Sequence, residues 1–461
     1  MEGPGAEWAK RRNVSLDIPQ ARRLLSGSGG AWGRAQTAVL ALFLIFAYLY
    51  SFAVQPGYGP DEPRHFAYVR RLVEKRELPF RSATQEADGA HSLHPPLYYL
   101  LVSPVYAVSA GLGEKAAYRA LKSVSPLLLA GALILFLQTL VRLFPDRPEL
   151  TTGALAIVAF LPEFQLEAAV VNNDALAVLL GAALLHQTTL AAASAPSSRR
   201  AVFIGLIAAA FVNTKATGWT LSPLIVAATA VRAMSGEPDR KGLWRDLAIS
   251  VGILLAAGTW WYLLNLQRYG QPVPLDFGPG DVLKPLDSEG HPLQPLDVYA
   301  RGYVVHYGGR AVVGLFQSFW SQIDWIREDF RSAIWGGLLF LSLGAVVGNT
   351  MGAARVLPAL IRGERPSWGT SLPGLGFALV LLHTWYVATF MHQGFYQGGR
   401  YLMPGVYGAG IGLTAGWELI LRSKPRVFPV FWSVVLIGFL ALNVHCLTEI
   451  VFYLNPRYVR P

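Results

Sequence analysis

Apolar runs of about twenty residues, separated by short polar stretches, recur along the whole chain, and a run of that length crosses the hydrocarbon of a bilayer as one helix. The first run, 36–54, leads directly into Gly57-Tyr-Gly-Pro-Asp-Glu-Pro-Arg-His-Phe66, so Asp61 and Glu62 stand where a membrane helix emerges into water. Asp61 reads as an N-cap, and Pro63 as a first-turn proline, tolerated because that backbone donor is unpaired anyway. Phe66, Val69 and Val73 then fall near one face, with Arg64, Arg70, Arg71, Glu74 and Lys75 mostly on the others. That pattern predicts an amphipathic helix lying in the interface. Further crossings are predicted near 115–143, 150–166, 174–192, 201–215, 217–234, 246–266, 332–352, 371–391, 403–421 and 427–447.

The segment 96–112 is read as re-entrant or interfacial. If it crossed, Arg142 and Arg147, then Arg199 and Arg200, then Arg232, Arg240, Lys241 and Arg245 would all face outward, against the positive-inside bias. The predicted fold class is an all-α polytopic membrane protein of about eleven crossings, with interfacial or re-entrant helices in its first outer loop. Residues 1–35, with Lys10, Arg11, Arg12, Arg22, Arg23 and Arg34, form a basic cytoplasmic tail that does not read as a cleavable signal. Residues 36–266 form the main transmembrane module, with its first outer loop at 55–114. An outer loop at 267–331, crowded with Pro, Gly, Asp and His, precedes the C-terminal helices of 332–461.

Composition narrows the class further. The 461 residues are 53% hydrophobic and 15% charged, and no soluble alternative accommodates the repeated apolar runs. The net charge of +10 sits in short loops between spans, so it reports topology and not nucleic-acid binding. The single cysteine, Cys446, lies inside a late apolar run, which excludes a disulfide framework and a cysteine metal cluster. No repeat of fixed period is visible.

This threading gathers costly polar residues on the outer side. Asn172, Asn173 and Asp174 follow Pro162, Glu163 and Glu167; Lys215 lies in Phe211-Val-Asn-Thr-Lys-Ala-Thr-Gly218; His94 opens the 96–112 segment. Trp260-Trp-Tyr-Leu-Leu-Asn265 closes one span, and Gln397-Gly-Gly-Arg-Tyr-Leu-Met-Pro404, carrying Arg400, opens another. Ionisable groups in or near lipid are expensive unless paired or wetted, so they are candidates for function. Plainer readings stand beside them. Asp174 can cap its helix, Lys215 can snorkel, Arg400 can anchor an interface, and His94 can start a helix. The aromatic residues of 260–269 read as interfacial belt, and the glycines beside Arg400 would let a ligand approach the backbone.

Carboxylates and cations on one face suit transfer of a sugar from a lipid phosphate. The phosphate is already a good leaving group, so no second acid is needed, unlike in glycoside hydrolysis. Fixed cations stabilise the charge developing on it, and one carboxylate takes the acceptor's proton. An acidic pair after the first span, HPPLYY before a short helix, an Asp in the second outer loop, the Lys of 201–234 and WWYLLN together resemble the GT-C superfamily. That superfamily includes the protein O-mannosyltransferases and lipid A aminoarabinose transferases. The closing QGGRYLMP is similar to the QGRYLxP signature of a bacterial branch.

The resemblance implies an inverting transferase of the bacterial cytoplasmic membrane with its site on the outer face. Its donor would be a polyprenyl-phosphate-linked sugar and its acceptor a lipid, a glycan or a protein. Asp61 would be the base, with Glu62 beside it. Lys215 and Arg400, aided by His94 and Arg64, would bind the donor phosphate, and Asp174 with Asn173 would serve the acceptor or a divalent metal, Mg or Mn. One departure is His94, which stands where the aminoarabinose transferases carry Lys and would weaken that phosphate contact. Acceptor binding would rest on the outer loops, chiefly 267–331. Two other classes compete: a transporter or flippase of a lipid-linked sugar, and an O-antigen polymerase or ligase, for which Arg301, Arg310, Arg327 and Arg331 would matter.

Overall fold

Helix α1 (Ala31–Ala53) buries Val39, Phe43, Ala47 and Tyr50 along one side and leaves Leu42, Ile45, Leu49 and Phe52 exposed along another. A helix that stays apolar on its exposed side is one that faces lipid. The computed structural model describes residues 31–59, 61–79, 94–234, 237–270, 272, 316–320, 332–361, 399–424 and 426–453. The regular elements among them are all helical. The interfacial unit after α1 is α2 (Glu62–Glu74) with α3 (Leu97–Ser109), followed by α4 (Glu114–Lys122) running into α5 (Val124–Leu143). Then come α6 (Pro148–Ala159), α7 (Pro162–Glu167), α8 (Asp174–Ala193), α9 (Ser198–Val212), α10 (Gly218–Leu221), α11 (Pro223–Met234), α12 (Arg240–Gly258) and α13 (Trp260–Tyr269). Helix α14 (Ser332–Ile361), a 3-10 turn (Gly399–Gly405), α15 (Val406–Leu421) and α16 (Val427–Tyr453) complete the described chain.

Among the described residues, six helical stretches are long and apolar enough to cross a bilayer: Gly33–Ala53, Glu114–Leu143, Asp174–Ala193, Arg240–Tyr269, Ile334–Ala354 and Val427–Phe452. Helices stand at the other expected crossings within the described residues, but shorter or broken. The 150–166 run splits at Pro162 into α6 and α7, and the 201–234 run breaks around Lys215 into α9, α10 and α11. The expected crossing at 371–391 and most of the 267–331 loop, including Arg301, Arg310, Arg327 and Arg331, lie outside the described residues. Helix α3 has 13 residues. At about 1.5 Å per residue that is less than a hydrocarbon layer of about 30 Å, and the 12-residue α6 is shorter still.

Helix α2 is amphipathic as its pattern predicts. Phe66 and Val69 are buried, and Phe66 stacks on Tyr118 at 3.7 Å between ring centroids while Tyr68 stacks on Tyr99 at 3.7 Å. The main core lies deeper, where Phe43, Phe136, Phe160, Phe164 and Tyr407 bring α1, α5, α6, α7 and α15 together. The break between α6 and α7 frees the Phe160 carbonyl. Asn443 of α16 donates to it at 2.7 Å and accepts from the Tyr50 hydroxyl of α1 at 3.2 Å. A buried backbone group with no water at hand is thereby satisfied.

Lipid tails are as apolar as leucine, so helix association in a membrane depends on close packing and small residues. The seam between α14 and α15 is built this way. An added Cβ at Gly348 would lie 1.8 Å from the Gly416 carbonyl oxygen, so the two backbones touch. Asn349 donates to the Gly412 carbonyl at 2.8 Å and Trp417 to the Leu341 carbonyl at 2.8 Å across the same seam. Gly348→Ala is therefore expected to destabilise the protein by about 1–3 kcal/mol through overpacking. Gly252→Ala, with nothing within 4 Å of the new carbon, should be neutral or stabilising by up to about 1 kcal/mol. Thermal unfolding of both variants in detergent checks this, and equal midpoints would remove the close seam.

Candidate active site

The loop leaving α1 is shaped by one buried carboxylate. Glu62 is fully buried, and its Oε2 accepts backbone N–H bonds from Gly57 at 2.8 Å and Gly59 at 3.1 Å. Its Oε1 accepts from the Val171 N–H at 2.9 Å, and the Lys122 ammonium stands 3.9 Å away while donating to the Val54 carbonyl at 2.7 Å. Both oxygens are thus committed to the scaffold. Glu62, implied beside Asp61 in the chemistry, instead clamps the loop after α1 to the loop after α7. Asp61 precedes it with φ 55, a left-handed conformation costing a non-glycine residue about 1–2 kcal/mol. It occupies the N-cap position of α2, but its side chain makes no cap hydrogen bond.

The second loop begins at the residue Glu62 holds. After Val171, the Asn172 side chain accepts from the Ala175 N–H at 3.2 Å and so supplies the cap expected of Asp174. Asp174 is left to form a buried ion pair with Lys215. Asn173 donates to the Thr214 carbonyl at 2.8 Å and to His94 Nδ1 at 3.0 Å, which places the imidazole proton on Nε2. Lys215 does not snorkel. It sits at the break after α9, whose end is fixed by the Tyr262 hydroxyl donating to the Val212 carbonyl at 2.6 Å and by Asn213 donating to the Ala257 carbonyl at 2.8 Å.

Arg400 arrives from the far end of the chain. Its Nη2 donates to Asp61 Oδ2 at 2.7 Å and to the Tyr401 hydroxyl at 3.1 Å, and its guanidinium carbon lies 5.0 Å from the centre of the Tyr401 ring. The Lys215 ammonium lies 4.5 Å from the same ring. Residues 61, 174, 215 and 400 therefore meet around one tyrosine. Their two ion pairs differ in character. The Asp174 and Lys215 side chains are 4% and 7% exposed, whereas those of Asp61 and Arg400 are 36% and 13% exposed. The first pair is locked in the bundle and the second opens to water. Arg64 lies half-buried in the first turn of α2.

A third carboxyl belongs to the cluster. Glu167, at the end of α7, is buried and accepts from the Asn172 amide. Burial and the nearby Asp174 charge push it up to about 8, against the opposing pull of Lys215, Arg400 and the Asn172 hydrogen bond. Among the described residues, no three His, Cys, Asp or Glu side chains gather to hold a metal. Asp174 is paired with Lys215, and Glu167 accepts from the Asn172 amide.

Some parts of the site had no signal in the sequence. The glycine before Arg400 does not clear space for a ligand. A Cβ at Gly399 would lie 2.1 Å from the Ser318 carbonyl carbon, and its N–H bonds the Ser318 hydroxyl at 2.9 Å. Trp261 and Tyr262 are buried and hold the Lys215 loop, so they are not belt residues, unlike the exposed Trp260. The roles of Glu167 and Tyr401 depend on long-range packing, and only the apolar context of Glu167 hinted at one.

No protein-family model matches the sequence, and no curated protein matches it. Solved structures do. The oligosaccharyltransferase of Archaeoglobus fulgidus, crystallised with Zn and sulfate, aligns with a TM-score of 0.51 at 13% identity over 90% of this chain and 53% of its own. ArnT from Cupriavidus metallidurans bound to undecaprenyl phosphate aligns with a TM-score of 0.46 at 15% identity, over 92% of this chain and 75% of its own. The archaeal protein AglB, in complex with an inhibitory peptide and a dolichol-phosphate, gives 0.49 at 13% identity over 92% and 55%. The chain shares its fold with the archaeal oligosaccharyltransferase and spans about half the length (53%) of that protein.

The clamp makes a stability prediction. Glu62→Ala leaves Lys122 and three backbone donors buried without their acceptor, which is expected to cost about 3–5 kcal/mol. The readout is the unfolding midpoint of the purified variant, and a wild-type midpoint would show that Glu62 does not hold the two loops.

Proposed function

We propose that the protein is a membrane glycosyltransferase. It moves a sugar from a polyprenyl-phosphate donor to a hydroxyl acceptor on the outer face of the cytoplasmic membrane, with inversion at the anomeric carbon. The observation that carries this reading is the Asp61–Arg400 pair at 2.7 Å, with Lys215 against the same tyrosine as Arg400. One partly wet carboxylate and two cations from distant segments meet at one place. The shared fold supports it, since the archaeal structure of that fold is of an oligosaccharyltransferase.

In the mechanism, Arg400 binds the donor phosphate through charge-assisted hydrogen bonds, and the spare N–H groups of Lys215 reach a second oxygen. Arg64 adds a third positive charge to the rim. Asp61, released from Arg400 when the phosphate takes its place, accepts the acceptor's hydroxyl proton. The acceptor oxygen bonds to the anomeric carbon as the bond to the phosphate oxygen breaks, and the polyprenyl phosphate leaves as an anion held by the two cations. The buried Lys215–Asp174 pair stays in place throughout. The exposed Asp61–Arg400 pair is the one that exchanges, because water already competes for it. Asn173, bonded to His94 and to the Thr214 carbonyl, ties the second loop to the residues on either side of the site. Glu62 touches no reacting atom and acts by holding Asp61 in its left-handed turn.

This exchange predicts opposite effects for two substitutions. Asp61→Asn should abolish transfer yet bind undecaprenyl phosphate more tightly than wild type, because the competing negative charge is gone. Arg400→Ala should weaken that binding by about tenfold or more, through loss of a charged hydrogen bond worth about 1.5–3 kcal/mol. Purified protein incubated with a panel of polyprenyl-phosphate sugars, with release of polyprenyl phosphate followed, reads the first effect. Lipid-phosphate titration reads the second. Full activity in Asp61→Asn would refute the base, and unchanged affinity in Arg400→Ala would remove it from the donor site.

A further inference from the structure

We infer that Tyr401 is a positioning residue of the donor site, a spacer whose ring sets the separation of Arg400 and Lys215 and whose hydroxyl orients the guanidinium. The inference deepens the proposed function and rests on the donor-phosphate reading of those two cations. Both lie within cation–π reach of the one ring, the Lys215 ammonium at 4.5 Å and the Arg400 guanidinium carbon at 5.0 Å from its centre. Two like charges drawn this near to one another repel. The negative face of an aromatic ring attracts both and so offsets part of that repulsion.

The turn that carries the ring is held at both ends. The Gly399 N–H bonds the Ser318 hydroxyl at 2.9 Å, which fixes the start of the 3-10 turn. At its other end the Pro404 carbonyl oxygen lies 2.4 Å from where a Cβ would stand on Gly181 of α8, so the turn lies directly on that helix's backbone. Helix α8 begins with Asp174, the partner of Lys215. The turn that carries the ring therefore lies directly against the helix that carries the carboxylate partner of Lys215. Arg400 hangs from the same turn, and its Nη2 is shared between Tyr401 at 3.1 Å and Asp61 at 2.7 Å. The tyrosine hydroxyl thus aims the group that the phosphate must reach, without needing to touch the phosphate itself.

A tyrosine that merely filled space would be replaceable by any apolar side chain of similar bulk. A spacer between two cations requires the aromatic face. The test compares Tyr401→Phe, which keeps the ring, with Tyr401→Leu, which removes it, using undecaprenyl phosphate as the probe on the full chain in detergent. Unfolding midpoints are measured alongside. The expected result is binding by the wild type, a loss of about three- to fivefold in Tyr401→Phe, which keeps the ring but not the hydroxyl, and a loss of about tenfold or more in Tyr401→Leu at an unchanged midpoint. Wild-type affinity in a folded Tyr401→Leu protein would overturn the inference. If the leucine variant does not fold, Tyr401→Met, of similar length and without the ring, takes its place with the same criteria. Failure of the wild type to bind the lipid phosphate would instead overturn the donor site as a whole, which keeps the two failures apart.

Discussion

A charge inside an apolar helical bundle must be met by another charge or by several hydrogen bonds, and this constraint accounts for the architecture around the candidate site. Glu62 has three backbone donors and Lys122; Asp174 has Lys215; Asp61 has Arg400. Each pairing joins segments far apart in sequence, so satisfying the charges and folding the site are one event. Removing one member of a buried pair costs about 3–5 kcal/mol, far more than the loss of an exposed pair. The three pairs consequently differ in what they can do. Two are buried and hold structure. The third, at 36% exposure on its carboxylate, can exchange partners.

That difference divides labour between neighbouring carboxylates. Asp61 and Glu62 are adjacent in sequence, yet one is fully buried and committed to backbone while the other faces a wet opening. The left-handed turn at Asp61 is what points the two side chains apart, and the bonds Glu62 makes to Gly57, Gly59 and Val171 oppose its cost. The same logic governs Asn172 and Asp174. Because the asparagine caps α8, the aspartate is available for Lys215. A transporter of a lipid-linked sugar would place its charged site near the bilayer midplane between half-helices of a repeated unit. Here the charges collect at helix ends and loops, and the sequence carries no repeat of fixed period.

Much of the fold was legible because membrane helices declare themselves by length and hydropathy. The amphipathic pattern of Phe66 and Val69 likewise gave the interfacial helix its buried face. The convergence of Asp61, Asp174, Lys215 and Arg400 could be anticipated from sidedness, since each is too costly to leave alone in lipid. Finer roles could not. Which of two adjacent acids is buried depends on a backbone turn that no periodicity encodes, and the linear pattern offered Asp174 as the cap where Asn172 serves. Trp261 and Tyr262 read as belt residues because an interfacial aromatic and a buried one look alike in a linear pattern. Gly399 invited a ligand reading, whereas its missing side chain makes room for the backbone of Ser318, 81 positions away.

The central claim is that a lipid phosphate displaces Asp61 from Arg400 and comes to rest against Arg400 and Lys215. A structure of the protein with undecaprenyl phosphate bound tests this most directly. The account predicts the phosphate in hydrogen-bond contact with both cations, the Asp61 carboxylate turned away from the guanidinium, and the Lys215–Asp174 pair still closed. A phosphate bound elsewhere, with the Asp61–Arg400 pair intact, would contradict it.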